Sequence, residues 1–505
     1  LIDPRTPVVV GVGQVNQRVE PAEARSPIEL FVDAARIADA EARGMLAAAD
    51  TVAVVLIGSW RYADPGAVAA RRLGIEPRET IRSSLGGNSP QLLINELAAD
   101  IQRGDRDVVL IGGGEVLDAR RRARAMGGEL EFERTDDPPC AHVIGNDDPG
   151  TNALENAHGA FAPTQVYPLF ETALRGRAGR TIAHHQQAIG ELWSHFAAVA
   201  AENPFAWTQV AYSAEEIAQV TPDNRMVTFP YTKRMNANVF VDQGAALLLS
   251  SYGTARAAGV PDDQLVFPHS GTDVHDHWWF TNRHSLATSV GIGAMANAAL
   301  AAAGRGLGIG IDDIARFDLY SCFPSAVQLA LDSLGLAGPS RDGRPLTVTG
   351  GLGFAGGPLN NYPTHAIARM VELLRADPGS FGLTTALGWY ATKHSCGVWS
   401  TTPPNGGFRR VDPAVPQAQV DASPSRPALE SYSGRATVEA TAVPVDRDGT
   451  PTIGIVAAIT DSGERVLANV HDPTALGEMM TEAWENHVVH ITPAGATNRI
   501  DELRR

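Results

Sequence analysis

Hydrophobic positions in the first 115 residues fall into short unbroken runs separated by amphipathic stretches. Val8-Val9-Val10 and the runs 52–57 and 108–111 hardly alternate with polar residues, as expected of strands buried on both faces. Between them, Leu30, Ala34, Ile37 and Ala38 recur at helical spacing behind Ser26-Pro27-Ile28-Glu29. In that tetrapeptide Ser is a helix N-cap, Pro takes the first position and Glu closes a capping box. A second helix is predicted near Pro65–Leu73. A third follows Gly86-Gly87-Asn88-Ser89-Pro90, with Leu93, Leu97 and Ile101 on one face and a stop at Gly104. Strands alternating with helices predict a largely parallel sheet covered on both sides.

Residues 119–230 break this rhythm with an Arg-rich helix (Arg120 to Arg124), the turn Asp136-Asp137-Pro138-Pro139 and a long helix over Ile182–Glu202. Alternation resumes at Val239-Phe240-Val241-Asp242-Gln243-Gly244-Ala245-Ala246-Leu247, so the middle segment is predicted to be an insertion from one layer. A second alternating run occupies about 265–400, with strands near Phe317, 346–349 and 383–390. Residues 401–434 are rich in proline and lack an apolar period, which predicts a linker. Beyond it, 438–445, an Asp448-Gly449 turn, 453–459, Ser462-Gly463 and 466–470 predict a hairpin meander closing into a small barrel. The expected division is 1–118 with 231–264, an insertion at 119–230, a second half at 265–405, a linker at 406–434 and a barrel at 435–505.

Composition narrows the function. The chain has 505 residues, 44% of them apolar, which calls for more than one structural unit. A formal charge of −16 argues against a nucleic-acid or anionic-membrane role, which needs a basic surface. No apolar run approaches a membrane span, and the N-terminus has no signal-peptide pattern, so a cytoplasmic protein is expected. Cys140, Cys322 and Cys396 are too dispersed for a disulfide framework or a zinc set. Lys233 and Lys393 are the only lysines, which singles out both. His275-Asp276-His277 has no third ligand at a metal-site spacing, and no metal is expected. Gly11-Val12-Gly13 lacks the further glycine of a dinucleotide fingerprint.

Two strand-to-helix junctions carry the chemistry. The first is Tyr320-Ser321-Cys322-Phe323. The second, about thirty residues later, is Gly350-Gly351-Leu352-Gly353-Phe354-Ala355-Gly356-Gly357-Pro358. In that order the pair resembles the thiolase superfamily, specifically its sterol-carrier-protein type, where the motifs read His-Asp-Cys-Phe and Gly-His-Pro. Ser89-Pro90, Gly112-Gly113-Gly114-Glu115, Gly179-Arg180-Thr181, Asn203-Pro204-Phe205-Ala206 and Asp242-Gln243-Gly244-Ala245-Ala246 resemble further family segments in sequence order. The resemblance implies an α/β fold of five layers, αβαβα, from two similar halves. An inserted loop domain and a C-terminal OB-like barrel complete it.

The resemblance also implies what is missing. Thiolase chemistry needs a thiolate at a helix N-terminus, but Gly86 to Pro90 contains no Cys; Gly87 or Ser89 stands there. Gly357 stands where the Gly-His-Pro loop carries its His base, and Ala386 stands where many thiolases carry a further Cys that the sterol-carrier type also lacks. Candidate catalytic groups are Cys322 as a retained acid/base, Tyr320 as an oxygen-binding phenol, Ser89, and His394 within Lys393-His394-Ser395-Cys396. Each has a structural alternative: a buried apolar thiol, a satisfied core tyrosine, a helix cap and a polar loop, respectively. His365 is a further candidate base, or a packed core histidine. The implied ligand is CoA or an acyl-CoA, not covalently bound, with Lys233 and Arg234 meeting its phosphates beside the Gly357 loop. Three functions remain open: an acyltransferase with an altered catalytic set, a non-catalytic acyl-CoA or lipid-binding protein, or a partner-dependent subunit. Standard thiolase turnover is not expected. The strand Arg78-Glu79-Thr80-Ile81-Arg82, at the family's dimer edge, carries charges that discourage pairing, so a monomer is expected.

Overall fold

The computed structural model describes residues 2–305, 308–338 and 343–503. Two sheets enclose a shared layer of helices. The first sheet runs Pro7–Asn16, Asp242–Ser251, Val108–Val116, Thr51–Val54, Glu79–Ser83 and His142–Ile144. Val108–Val116, Thr51–Val54, Glu79–Ser83 and His142–Ile144 are mutually parallel, and Asp242–Ser251 is antiparallel to both its neighbours. The second sheet runs Ile314–Asp318, Phe381–Gly388, Lys393–Ser400, Phe267–His275 and the short Arg409–Arg410.

Helices Ser89–Arg103 and Tyr362–Ala376 lie between the sheets. Leu93, Leu97, Ile101, Ile367 and Met370 pack there with Val9, Ile111 and Trp399. Pro27–Glu41 and Pro65–Leu73 cover the outside of the first sheet, Val290–Ala303 and Pro324–Leu334 that of the second. That is the five-layer αβαβα order. The predicted capping box is present: Ser26 Oγ accepts from Glu29 N at 3.3 Å, and Glu29 accepts from Ser26 N at 2.8 Å. Gly11 serves packing, since a Cβ there would overlap the Ala38 carbonyl oxygen of the covering helix.

Two segments differ from their expected form. Residues 346–349 do not form a strand; Leu319 N still donates to Leu346 O, but the Asp318 carboxylate takes Thr347 Oγ1 and Val348 N in place of a regular ladder. The expected linker 406–434 lies along the core. It contributes Arg409–Arg410 to the second sheet, a helix over Ala414–Asp421 and a short strand, Ala428–Leu429, beside Arg465–Val470. Phe408 and Val420 anchor it as buried side chains, so absence of period here marks irregular packing rather than freedom.

The C-terminal strands Gly434–Pro444, Gly454–Thr460, Arg465–Val470, Val488–Ala494 and Thr497–Leu503 close a five-stranded OB-like barrel, with helix Pro473–Thr481 between the third and fourth. Its strands are apolar on both faces for a physical reason. Val456, Ala458, Val466 and Ala468 fill the barrel, whereas Ile455, Ala457 and Leu467 join the main core. A buried ion pair, Arg175 to Glu485 at 2.7 Å, crosses that junction. Among the described residues no helix is long and apolar enough to cross a membrane.

Candidate functional site

The strand Glu79–Ser83 ends in a tight elbow, where Gly86 takes a left-handed φ of 144° and the helix Ser89–Arg103 begins. Asn88, not Ser89, holds the cap position, without a side-chain capping bond. Ser89 is fully buried and donates its hydroxyl to Ser84 O at 2.8 Å, so that oxygen is spent on the elbow itself. Asn360 Oδ1 accepts from Gly86 N at 2.9 Å, tying the elbow to the turn that follows Gly357.

Tyr320 decides the character of this site. A Cβ built on Gly87 would overlap the Tyr320 hydroxyl oxygen and stand 2.6 Å from Leu387 O. The phenol therefore occupies the volume that any side chain at position 87 needs. Tyr320 is held by a bond from its amide to Thr385 Oγ1 at 2.9 Å and by an edge-on ring contact with Tyr362 at 5.7 Å. Burial, with Cys322 beside it, raises its hydroxyl well above the ordinary range.

Cys322 precedes the helix Pro324–Leu334, but burial dominates and pushes its thiol up to about 12 despite a favourable contact with Tyr167. The expected lowering by a helix start does not materialise, and the group is a protonated thiol near neutrality. Gly357 is different from Gly87. A Cβ there meets Leu352 and Asn238 O at 3.5 Å, ordinary contact distance, so a Cβ fits without a clash. His365 cannot stand in for the missing base. It bonds Gln14 Oε1 at 3.0 Å, and burial draws it down to about 3.

The reactive-looking run Lys393 to Cys396 is a buried strand, not a surface loop, and its period of two divides it. His394 turns away from the elbow. Its Nε2 lies 3.1 Å from Asp276 Oδ2 and 3.1 Å from Ala391 O. Burial works to raise Asp276, but His394, Arg283 and Ser289 outweigh it and hold that carboxyl at about 2. Cys396 faces Met295 O on the same outer side. Lys393 faces inward, with Nζ donating to Leu85 O and to Asn146 O at 2.8 Å, and it would lie 3.2 Å from a Cβ on Gly86. Burial lowers it to about 8 against the opposing pull of Asp147 and Asp148. The preceding turn holds Trp389 and Ala391 at positive φ, clamped by the Tyr167 hydroxyl on Trp389 O and Ala391 N. Lys393 is thus the functional-site neighbour that the choice of His394 missed; lysine scarcity was the available signal.

Lys233 and Arg234 lie on the short turn Lys233–Met235. Lys233 is exposed. Arg234 donates to Glu216 O at 2.8 Å and lies 4.3 Å over the Tyr212 ring, so its guanidinium helps fasten the turn. His275 and His277 bond Asp276 O and Ser423 Oγ, and among the described residues no cluster of three or more His, Cys, Asp or Glu is placed to hold a metal ion.

Across the full length of both chains, the sequence is 34% identical, with a TM-score of 0.84, to a monomeric SCP2-thiolase-like protein type 1 from Mycobacterium smegmatis. The chain belongs to the type 1 SCP2-thiolase-like proteins. Residues 416–496 match the family described as the thiolase-like protein type 1 additional C-terminal domain, a span that includes part of the packed strap before the barrel. More distant structures share the fold alone. The dimeric peroxisomal thiolase of Saccharomyces cerevisiae is 12% identical, with 79% of this chain and 98% of that one covered and a TM-score of 0.55. Human mitochondrial 3-ketoacyl-CoA thiolase in complex with CoA is 16% identical at the same coverage and TM-score. No curated protein matches the sequence.

Proposed function

We infer that this thiolase-like protein binds CoA or an acyl-CoA without carrying out thiolase chemistry. The observation that carries this reading is the Tyr320 hydroxyl in the volume of a side chain at Gly87. A nucleophile at that elbow is missing and also sterically replaced. The other groups agree with it: Gly357 offers no base, the Cys322 thiol stays protonated, and Ser89 is bonded to Ser84 O. Support for the ligand is the shared fold with a thiolase described in complex with CoA. Lys233, exposed at the returning stretch, is a cation that could meet its phosphates. The test is mass spectrometry of the protein incubated with acetyl- and longer acyl-CoAs under native and denaturing conditions. A non-covalent CoA adduct with no acyl group on Cys322, Ser89 or Lys393 is expected; a stable acyl-protein overturns the non-catalytic reading, and no adduct at all overturns CoA binding.

A monomer belongs to the same proposal. The strand Glu79–Ser83 is not a free edge, because His142–Ile144 pairs with it through Ile81, Arg82 and Ser83. Covering an edge in this way removes the template for pairing with a second copy, and the Mycobacterium smegmatis relative is described as monomeric. Light scattering at micromolar concentration should give a single chain mass; twice that mass contradicts it. Docking of a partner through the barrel face that carries Ile455, Ala457 and Leu467 is disfavoured, because that face is already buried against the core.

A further inference from the structure

The parallel strands Thr51–Val54 and Val108–Val116 end on the same side of the first sheet, where open α/β sheets bind ligands. Just beyond those ends lies a cleft of about 150 Å³ that none of the thiolase motifs includes. Its walls are Trp60 from the loop after the first of these strands, Arg120 and Arg124 from the helix Leu117–Ala125, and Glu129, Glu131 and Arg134 from the segment that follows.

Charge pairing makes this cleft unusual within an acidic chain of net charge −16. Arg121 and Arg122 of the same helix are satisfied by Asp118. Among the described residues neither Arg124 nor Arg134 has a carboxylate partner, although both are exposed and long enough to reach one. Arg120 is anchored on Ser59 O, which fixes its guanidinium at the cleft wall. The loop itself is rigid: the Glu115 carboxylate accepts from Gly58 N and Ser59 N at 2.7 Å each. Trp60 is braced edge-on by Phe132 at 5.3 Å, and Arg134 extends its flat face at 5.6 Å from the ring centre.

We propose that this cleft binds a nucleoside diphosphate, either free or as the nucleotide end of a larger molecule. Three guanidinium groups supply the forked donors that suit phosphate oxygens. The indole supplies a stacking face for a planar base. Glu129 and Glu131 repel a bare anion but accept hydrogen bonds from ribose hydroxyls, the role an acidic residue plays in dinucleotide sites. Phosphate alone is therefore a poorer ligand than the complete nucleotide. The cleft reading does not depend on acyl-CoA binding, since it concerns the nucleotide alone.

The experiment is calorimetric titration of the full chain with ADP, pyrophosphate, CoA and pantetheine. ADP should bind more tightly than pyrophosphate, and pantetheine should not compete with it. The double variant R124E/R134E, with both changes at exposed positions, should weaken ADP by about ten-fold or more, as expected for charge-assisted phosphate contacts. R435E on the barrel surface should leave ADP affinity unchanged. Competition by CoA identifies the ligand as the nucleotide end of CoA, and ADP binding without competition identifies a free nucleotide; both support the site. Absence of ADP binding at millimolar concentration overturns it, as does ADP affinity unaltered by R124E/R134E.

Discussion

The elbow at Gly87 and the turn at Gly357 both lack a side chain, yet they differ. At Gly87 the vacated volume is filled by the Tyr320 phenol, whereas at Gly357 ordinary contact space remains open. Loss of the nucleophile is locked into the packing; loss of the base is not. A side chain at 87 would thus require a change at 320 as well, while position 357 accepts a Cβ without a clash.

The strongest way to break this comparison is Gly87→Cys. Overpacking against Tyr320 and Leu387 O should cost about 3 kcal/mol, the upper part of the usual range. Chemical denaturation measures this, and Gly87→Cys with Tyr320→Ala should recover part of the loss at that elbow. Equal stability of Gly87→Cys and the unaltered chain would show that Tyr320 is not the obstacle.

A second effect concerns His365, on the helix that follows Gly357. Burial holds His365 at about 3, below its unfolded value of about 6.5. Between those values the unfolded chain binds the proton and the folded chain does not, so stability falls as pH drops from about 6.5 towards 3. Between pH 7 and pH 5 this contributes a loss of about 2 kcal/mol. Urea unfolding of His365→Gln should show a correspondingly shallower decline over that interval. An unchanged decline would mean that His365 takes up its proton in the fold as readily as in the unfolded chain and remains a candidate base.

The smallest effect is expected at Gly357→Ala, within about 0.5 kcal/mol, because its Cβ meets only ordinary contacts. A thermal melt of this variant beside Gly87→Ala sharpens the contrast. Comparable losses at both positions would erase it.

Much of the layer order was legible because buried strands and amphipathic helices write their periods locally. The capping box at Ser26, the stripe through Leu93, Leu97 and Ile101, and the returning strand at Asp242 all lie where their patterns place them. The irregular parts were less legible. Residues 346–349 look strand-like, but Asp318 claims their polar groups, and the proline-rich strap at 406–434 packs without any period. Within the site, the run Lys393 to Cys396 reads as one reactive cluster until the strand splits it between two faces.

The sequence by itself established that the stretch Gly86 to Pro90 holds no Cys and that position 357 holds no His, because covalent identity needs no coordinates. Only the tertiary structure decided what replaced them. Tyr320, Lys393 and the Gly86 elbow are far apart in the chain, and the two sheets and the helices between them bring these residues together. Local periodicity reports which face of an element is buried; it carries no information on which distant side chain fills a given volume. The same reason separates Cys322 from its expected role. A helix start was visible in Pro324, but the burial that holds the thiol protonated comes from the surrounding core and outweighs the lowering contact with Tyr167.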